Sequence, residues 1–191
     1  GELISMRLFF AVHAGEAIAG QVSRIIEGSS IRRAPWRWIR PENYHFTLKF
    51  LGEIDEKMLP ALHEAAGSAA SGTEPFRLTM GGIGGFPGLE RPRVIYYNIK
   101  EGFGELERLA LRIEDECEKI GFEREKKRFR AHLTLARVKR PVDDDVLDAL
   151  RSFPPLDGAA VLEVDHFVLV SSLLTPSGAV YEETGRFELS R

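Results

Sequence analysis

The chain has 191 residues, 43% hydrophobic and 29% charged, with a formal net charge of −3. This composition excludes a disordered or fibrous chain and suffices for one substantial core in a single domain, and its mild acidity excludes a general coat of positive charge for nucleic acid, leaving only local basic sites. The lone Cys117 excludes an internal disulfide and fits a reducing compartment, and with neither a bilayer-spanning apolar run nor a signal-peptide pattern, the expectation is a soluble, cytoplasmic protein.

Residues 1–5 precede Met6 as a short extension with no assigned role. Residues 6–12 (Met-Arg-Leu-Phe-Phe-Ala-Val) are apolar and aromatic-rich, which predicts a buried strand, with His13 in the turn that follows. Ile18, Val22, Ile25 and Ile26 recur near helical spacing and predict a helix over 16–27 that stops at Gly28. Residues 29–40 form a basic loop with Arg32, Arg33, Arg37 and Arg40, and an extended chain there puts Trp36 and Trp38 on one face. Pro41 and Asn43 punctuate the entry to Tyr44-His45-Phe46-Thr47-Leu48-Lys49-Phe50. Side chains at i and i+2 of a strand share a face. Tyr44, Phe46, Leu48 and Phe50 are therefore expected to be buried, with His45, Thr47 and Lys49 opposite.

Asp55 can cap a helix through about residue 70, with Leu62, Ala65 and Ala66 inward, Pro60 near its start and His63 on its surface. Residues 76–80 and 94–99 alternate as strands. Between them, the glycine-rich stretch 81–88 completes neither Gly-x-Gly-x-x-Gly nor a P-loop, so it is expected to be a strand connection. Over 105–120, Leu106, Leu109, Ala110, Ile113, Cys117 and Ile120 line one helical face, making Cys117 a small buried hydrophobe rather than a nucleophile. The basic run 124–130 leads into His132-Leu133-Thr134-Leu135, a second His-x-Thr-x tetrad 87 residues after the first. A short helix over 143–150 precedes two long alternating strands, 162–172 and 180–189, joined by Thr175-Pro176-Ser177-Gly178, with His166 on a strand surface. The order β-α-β-α-β-β-α-β-α-β-β suggests an internal duplication.

Each tetrad sets an imidazole and a hydroxyl side by side, and two such strands face to face make a cleft with two histidines and two threonines. Two imidazoles titrating near neutrality can serve as one base and one acid, while threonine hydroxyls can hold phosphate oxygens. That set suits in-line attack on phosphorus with no cofactor or metal, and the tetrads offer no carboxylate cluster for magnesium. The loop with Trp36 and Trp38 and the run 124–130 are candidate contacts for the bases and backbone of an anionic chain.

The sequence resembles the 2H phosphoesterases, and within them the RNA 2′,3′-cyclic phosphodiesterases, also described as 2′-5′ RNA ligases. The resemblance runs from Met6 to about Leu189. It rests on Arg7-Leu8-Phe9-Phe10-Ala11, on Arg40-Pro41-Glu42-Asn43-Tyr44-His45-Phe46-Thr47-Leu48 with Phe50-Leu51-Gly52, on Gly84-Gly85-Phe86-Pro87 and Arg93-Val94, on Phe129-Arg130-Ala131-His132-Leu133-Thr134-Leu135-Ala136-Arg137, and on Ser172 and residues 178–181. It implies a single domain with an α+β, bilobed, duplicated fold, two antiparallel sheets flanking a central cleft and helices outside. It also implies metal-free hydrolysis of a 2′,3′-cyclic phosphate to a 2′-phosphomonoester, with reverse 2′-5′ ligation as the second chemistry of the same site. A binding module using the cleft without turnover is the alternative. By the resemblance His45 is the acid for the 3′ leaving oxygen and His132 the base for water. Thr47 and Thr134 hold non-bridging oxygens, and Arg137 and Arg130 contact substrate. Strict alternation from His132 turns Arg137 to the wrong face, so its role requires a bulge or a strand end. Ala131 stands where the resemblance leads one to expect proline. The expected partner is RNA with a cyclic end (tRNA fragments among the choices) or a cyclic nucleotide, and a monomer is the default.

Overall fold

The computed structural model describes residues 5–191, so the extension before Met6 lies outside the described residues apart from Ser5. The elements are β1 (Ser5–His13), α1 (Gly15–Glu27), β2 (Arg37–Trp38), β3 (His45–Asp55), α2 (Leu59–Ala70), β4 (Phe76–Phe86), β5 (Val94–Glu101), α3 (Phe103–Lys119), β6 (Leu133–Arg137), α4 (Asp144–Arg151), β7 (Val161–Val164), β8 (His166–Thr175) and β9 (Gly178–Glu188). One sheet has the order β3-β1-β8-β9 and the other β2-β6-β5-β4-β7. Strand pairing is antiparallel in both. This is the expected α+β architecture with two sheets. No helix among the described residues is long and apolar enough to cross a membrane.

The helices form where apolar spacing and caps coincide. Ile18 and Val22 put one face of α1 in the core. The Asp55 carboxylate accepts from Lys57 N and starts a 3-10 turn, Glu56–Met58, that runs into α2 with Pro60 in its first turn, where a missing N–H costs nothing. Helix α3 buries Leu106, Leu109, Ala110, Ile113 and Cys117, and burial pushes the Cys117 thiol up to about 11, as suits a packing residue. Helices α2 and α3 pack together, α3 against β3 and α2 against β9, whereas α1 lies against β7. One apolar cluster contains residues of both sheets and all four of these helices, with Phe10, Phe46, Tyr97 and Phe167 fully buried. Full burial of such a side chain contributes about 1.5–3 kcal/mol.

Four details depart from the sequence reading. The long strand expected over 162–172 breaks at Asp165, where the chain leaves one sheet as β7 and enters the other as β8. The glycine-rich stretch is not a loop: Gly81–Gly85 continue β4, with the β4–β5 register shifting between Met80 and Ile83. His13 ends β1 rather than sitting in a turn, and His63 faces inward, its ring edge-on to Phe187 at 5.5 Å, instead of lying on the surface.

Candidate active site

Strands β3 and β6 carry the two tetrads, one on each sheet, and they come into contact. His45 opens β3 opposite His13, and His132 directly precedes β6. Each strand has an irregularity directly after its threonine. In β3, Thr47 pairs with Ala11 and Lys49 with Phe10, so Leu48 is the extra residue. In β6, Thr134 pairs with Tyr96 and Ala136 with Ile95, so Leu135 is the extra residue. A one-residue bulge reverses the faces of everything beyond it. In β6 it returns Arg137 to the face of Thr134, as a phosphate role for that residue requires. In β3 it overturns the simple alternation: Phe50 turns out to be 70% exposed and Lys49 only 6% exposed.

Lys49 therefore points into the protein, where its ammonium donates to both carboxylate oxygens of Glu114 on α3 at 2.9 and 2.8 Å and to the carbonyl of Glu123 at 3.1 Å. The same carboxylate accepts from Glu125 N. This buried pair joins the strand of His45 to the segment that leads to His132. A charged group deprived of water is tolerable only with such a full set of partners.

The face of the β3-β1-β8-β9 sheet that carries His45 has its own apolar floor of Phe9, Ala11, Val168 and Val170, with Tyr181 packed on it. The His45 ring lies 5.0 Å from that of Phe9 and 5.5 Å, edge-on, from that of Tyr181. Its Nδ1 sits 2.7 Å from the carbonyl of Asn43. A carbonyl only accepts, so Nδ1 carries the hydrogen and Nε2 is left to exchange a proton. Burial holds the His45 pKa below the ordinary histidine value; the Asn43 carbonyl works against this, and the nearby His13 and Arg137 add to it.

His132 stacks on Tyr96, with ring centroids 4.2 Å apart and planes at 22°. The glycines of β4 make this possible. A Cβ on Gly84 would lie 2.6 Å from the Tyr96 ring, so that ring can lie flat across β4 only because position 84 has no side chain. Burial lowers the His132 pKa first, followed by the charges of Arg137 and Arg130. Arg137 thus lies close enough to both imidazoles to depress each of them.

The structure brings His45, His132, Thr47, Thr134, Arg137 and Arg130 to one region, but it divides the basic loops differently from the sequence reading. Trp36 and Trp38 do share a face, their rings 5.3 Å apart, but that face packs on the core. Arg37 between them is exposed and pairs across strands with Arg137. Arg124, in the second basic run, is bound to Asp115 and Glu118. Sequence reasoning named Arg37 only as one of the charges of the basic loop and Tyr181 only within the stretch 178–181, and it missed Tyr96 and the pair His13–Glu183, which are 3.5 Å apart. An aromatic such as Tyr96, which pairs with Thr134 two residues beyond His132, leaves no local signal; only the register brings it to the histidine.

Comparisons with known proteins bear on the family and the fold. A family described as LigT like phosphoesterase matches residues 14–96 and 99–181. The two matches each contain one tetrad. A protein of Archaeoglobus fulgidus named RNA 2′,3′-cyclic phosphodiesterase is 38% identical over 186 residues, covering 96% of this chain and 100% of its own. One of Thermotoga maritima with the same name is 35% identical, covering 93% of this chain and 92% of its own. A crystal structure from Thermus thermophilus superposes with a TM-score of 0.81 at 31% identity over 96% of this chain and 98% of the other.

Proposed function

The chain belongs to the LigT-like phosphoesterase family, and from that membership and the cleft we propose that it hydrolyses 2′,3′-cyclic phosphate ends of RNA to 2′-phosphomonoesters. The observation that carries this reading is the pair of imidazoles, each with a threonine two residues on, sharing one guanidinium, Arg137, whose charge reaches both. The relatives that bear the name RNA 2′,3′-cyclic phosphodiesterase match nearly the whole length of the chain.

In this reading His132 takes a proton from water as its oxygen attacks phosphorus, and the P–O3′ bond breaks. His45 Nε2 gives a proton to the departing 3′ oxygen, leaving a 3′-hydroxyl and a 2′-phosphate. Thr47 and Thr134 donate to the non-bridging oxygens, and Arg137 and Arg130 supply positive charge where negative charge builds up. The roles of the two histidines are those the resemblance implies. Burial lowers both, and Arg137 lowers both further; the Asn43 carbonyl favours a protonated His45 against this, whereas Arg130 adds to the depression of His132. Both imidazoles and both threonines come from one chain, which supports action as a monomer. The reading takes the enzyme to be cytoplasmic and its substrates to be RNA ends, tRNA fragments among them. The ligase direction uses an RNA 5′-hydroxyl in place of water, and water is far more concentrated.

Product analysis of an oligoribonucleotide with a 2′,3′-cyclic phosphate end, run with EDTA present, tests the proposal. Wild type is expected to yield the 2′-phosphate, unaffected by the chelator, with His45→Ala and His132→Ala each slower by about 10²–10⁴-fold. A ring left closed despite tight binding would overturn it in favour of a binding module.

A further inference from the structure

Arg37 lies directly across the strand pair from Arg137, at the edge of the β2-β6-β5-β4-β7 sheet. Like charges facing each other across a strand pair oppose folding, so such a pair calls for an anion between or above them. No carboxylate answers it: among the described residues no ion pair involves Arg37 or Arg137. Arg77, Arg108, Arg124, Arg151, Arg186 and Arg191, by contrast, each hold at least one. The neighbour of the two arginines from the opposite sheet is Tyr181, which both influence and whose ring touches His45. The arginine pair therefore opens into the cleft, with Arg137 near the histidines and Arg37 one strand spacing, about 4.8 Å, further toward the edge.

Resting on the phosphodiesterase reading, we infer that Arg37 binds the internucleotide phosphate next to the cyclic end, so that the site is built for the end of an RNA chain rather than for a free cyclic mononucleotide. The reacting phosphate occupies the threonines and Arg137, and the chain leaves past β2. The exposed guanidinium of Arg37 stands there between two tryptophans whose packing on the core holds its strand in place.

The test compares wild type and Arg37→Gln on 2′,3′-cyclic AMP, which lacks a second phosphate, and on the trinucleotide ApApA with a 2′,3′-cyclic end. A hydrogen bond to a charged group contributes about 1.5–3 kcal/mol, which corresponds to a change of about tenfold or more. Arg37→Gln is expected to lose about that factor in kcat/KM on the trinucleotide, through KM, and to act unchanged on cyclic AMP. The slope of log KM against log salt for the trinucleotide should fall by about one. Equal losses on both substrates would assign Arg37 to the reacting phosphate and overturn the inference, as would no loss on either. An unchanged or higher thermal midpoint, expected from relief of the like-charge pair, shows that the variant is folded. Should wild type open neither ring, the phosphodiesterase reading fails by itself. Equilibrium binding of ApApA carrying a 2′-phosphate end, set against 2′-AMP, then still decides the role of Arg37 by the same tenfold criterion.

Discussion

The carbonyl of Asn43 determines which nitrogen of His45 can do chemistry, because an acceptor at 2.7 Å from Nδ1 leaves Nε2 to face the cleft. His132 has no such partner among the described residues; it has a stacked tyrosine and two nearby arginines. In the free protein both histidines titrate below the ordinary histidine value, so both are mostly neutral at pH 7. The active form has one proton on the pair, and it is most populated between the two depressed values. The profile of kcat/KM, which reports the free enzyme, should therefore be bell-shaped with its maximum on the acid side of about 6.5. A bound phosphate anion offsets Arg137 and raises both histidines, so the kcat profile should lie at higher pH. Initial rates on a cyclic-ended oligonucleotide over the histidine range check both statements. A monotonic profile would count against paired roles.

At the level of strands, the two bulges are the structural core of the site. The first turns Lys49 inward to Glu114, and the second turns Arg137 outward to the cleft. Equivalent places in the two strands thus end alike: Lys49 and Ala136, two residues beyond the threonine, are buried, and Phe50 and Arg137, three beyond it, are exposed. Removing one member of a buried ion pair leaves the other charged and alone, which costs about 3–5 kcal/mol. Lys49→Met should lose about that much in urea denaturation. Adding Glu114→Leu should restore part of it, but only part, since Glu123 O and Glu125 N would lose their partners. Amide hydrogen exchange over 123–130 should rise in the double variant. Equal stability of the single variant and wild type would remove the pair from its structural role.

Over the whole molecule, the chain crosses between sheets rather than completing one before starting the next. β1 and β3 are joined in their sheet by β8 and β9 from the far end of the chain, and β7, directly before β8, belongs to the other sheet. The core is shared in the same way, with helices and both sheets in one cluster. Apart from the small floor of Phe9, Ala11, Val168 and Val170, neither sheet has an interior of its own, so the two should unfold together. Tryptophan fluorescence follows Trp36 and Trp38 beside β6, and far-UV circular dichroism follows all elements. The two transitions should coincide in urea; separate midpoints would mean that the sheets unfold as units.

What the sequence determined by itself was local. The periodicity of 16–27 and 105–120 marked α1 and α3, and the same spacing buried Cys117. The alternation around each tetrad put an imidazole and a hydroxyl on one face, because side-chain direction over two or three residues depends only on the strand itself. The resemblance of the motifs extended this to the family and the fold. The tertiary structure alone decided what depends on distant pairing. A bulge is a mismatch between two strands, so neither the turn of Lys49 to Glu114 nor the return of Arg137 to the cleft could be seen in either strand's own pattern. The break at Asp165 leaves only a slight trace in the chain, two successive polar residues, Asp165 and His166, before the apolar run 167–170; the change of partner strands that it marks is not in that pattern. Tyr96, Tyr181 and His13 surround the histidines for the same physical reason: their nearness is set by register across strands, and no spacing along the chain records it.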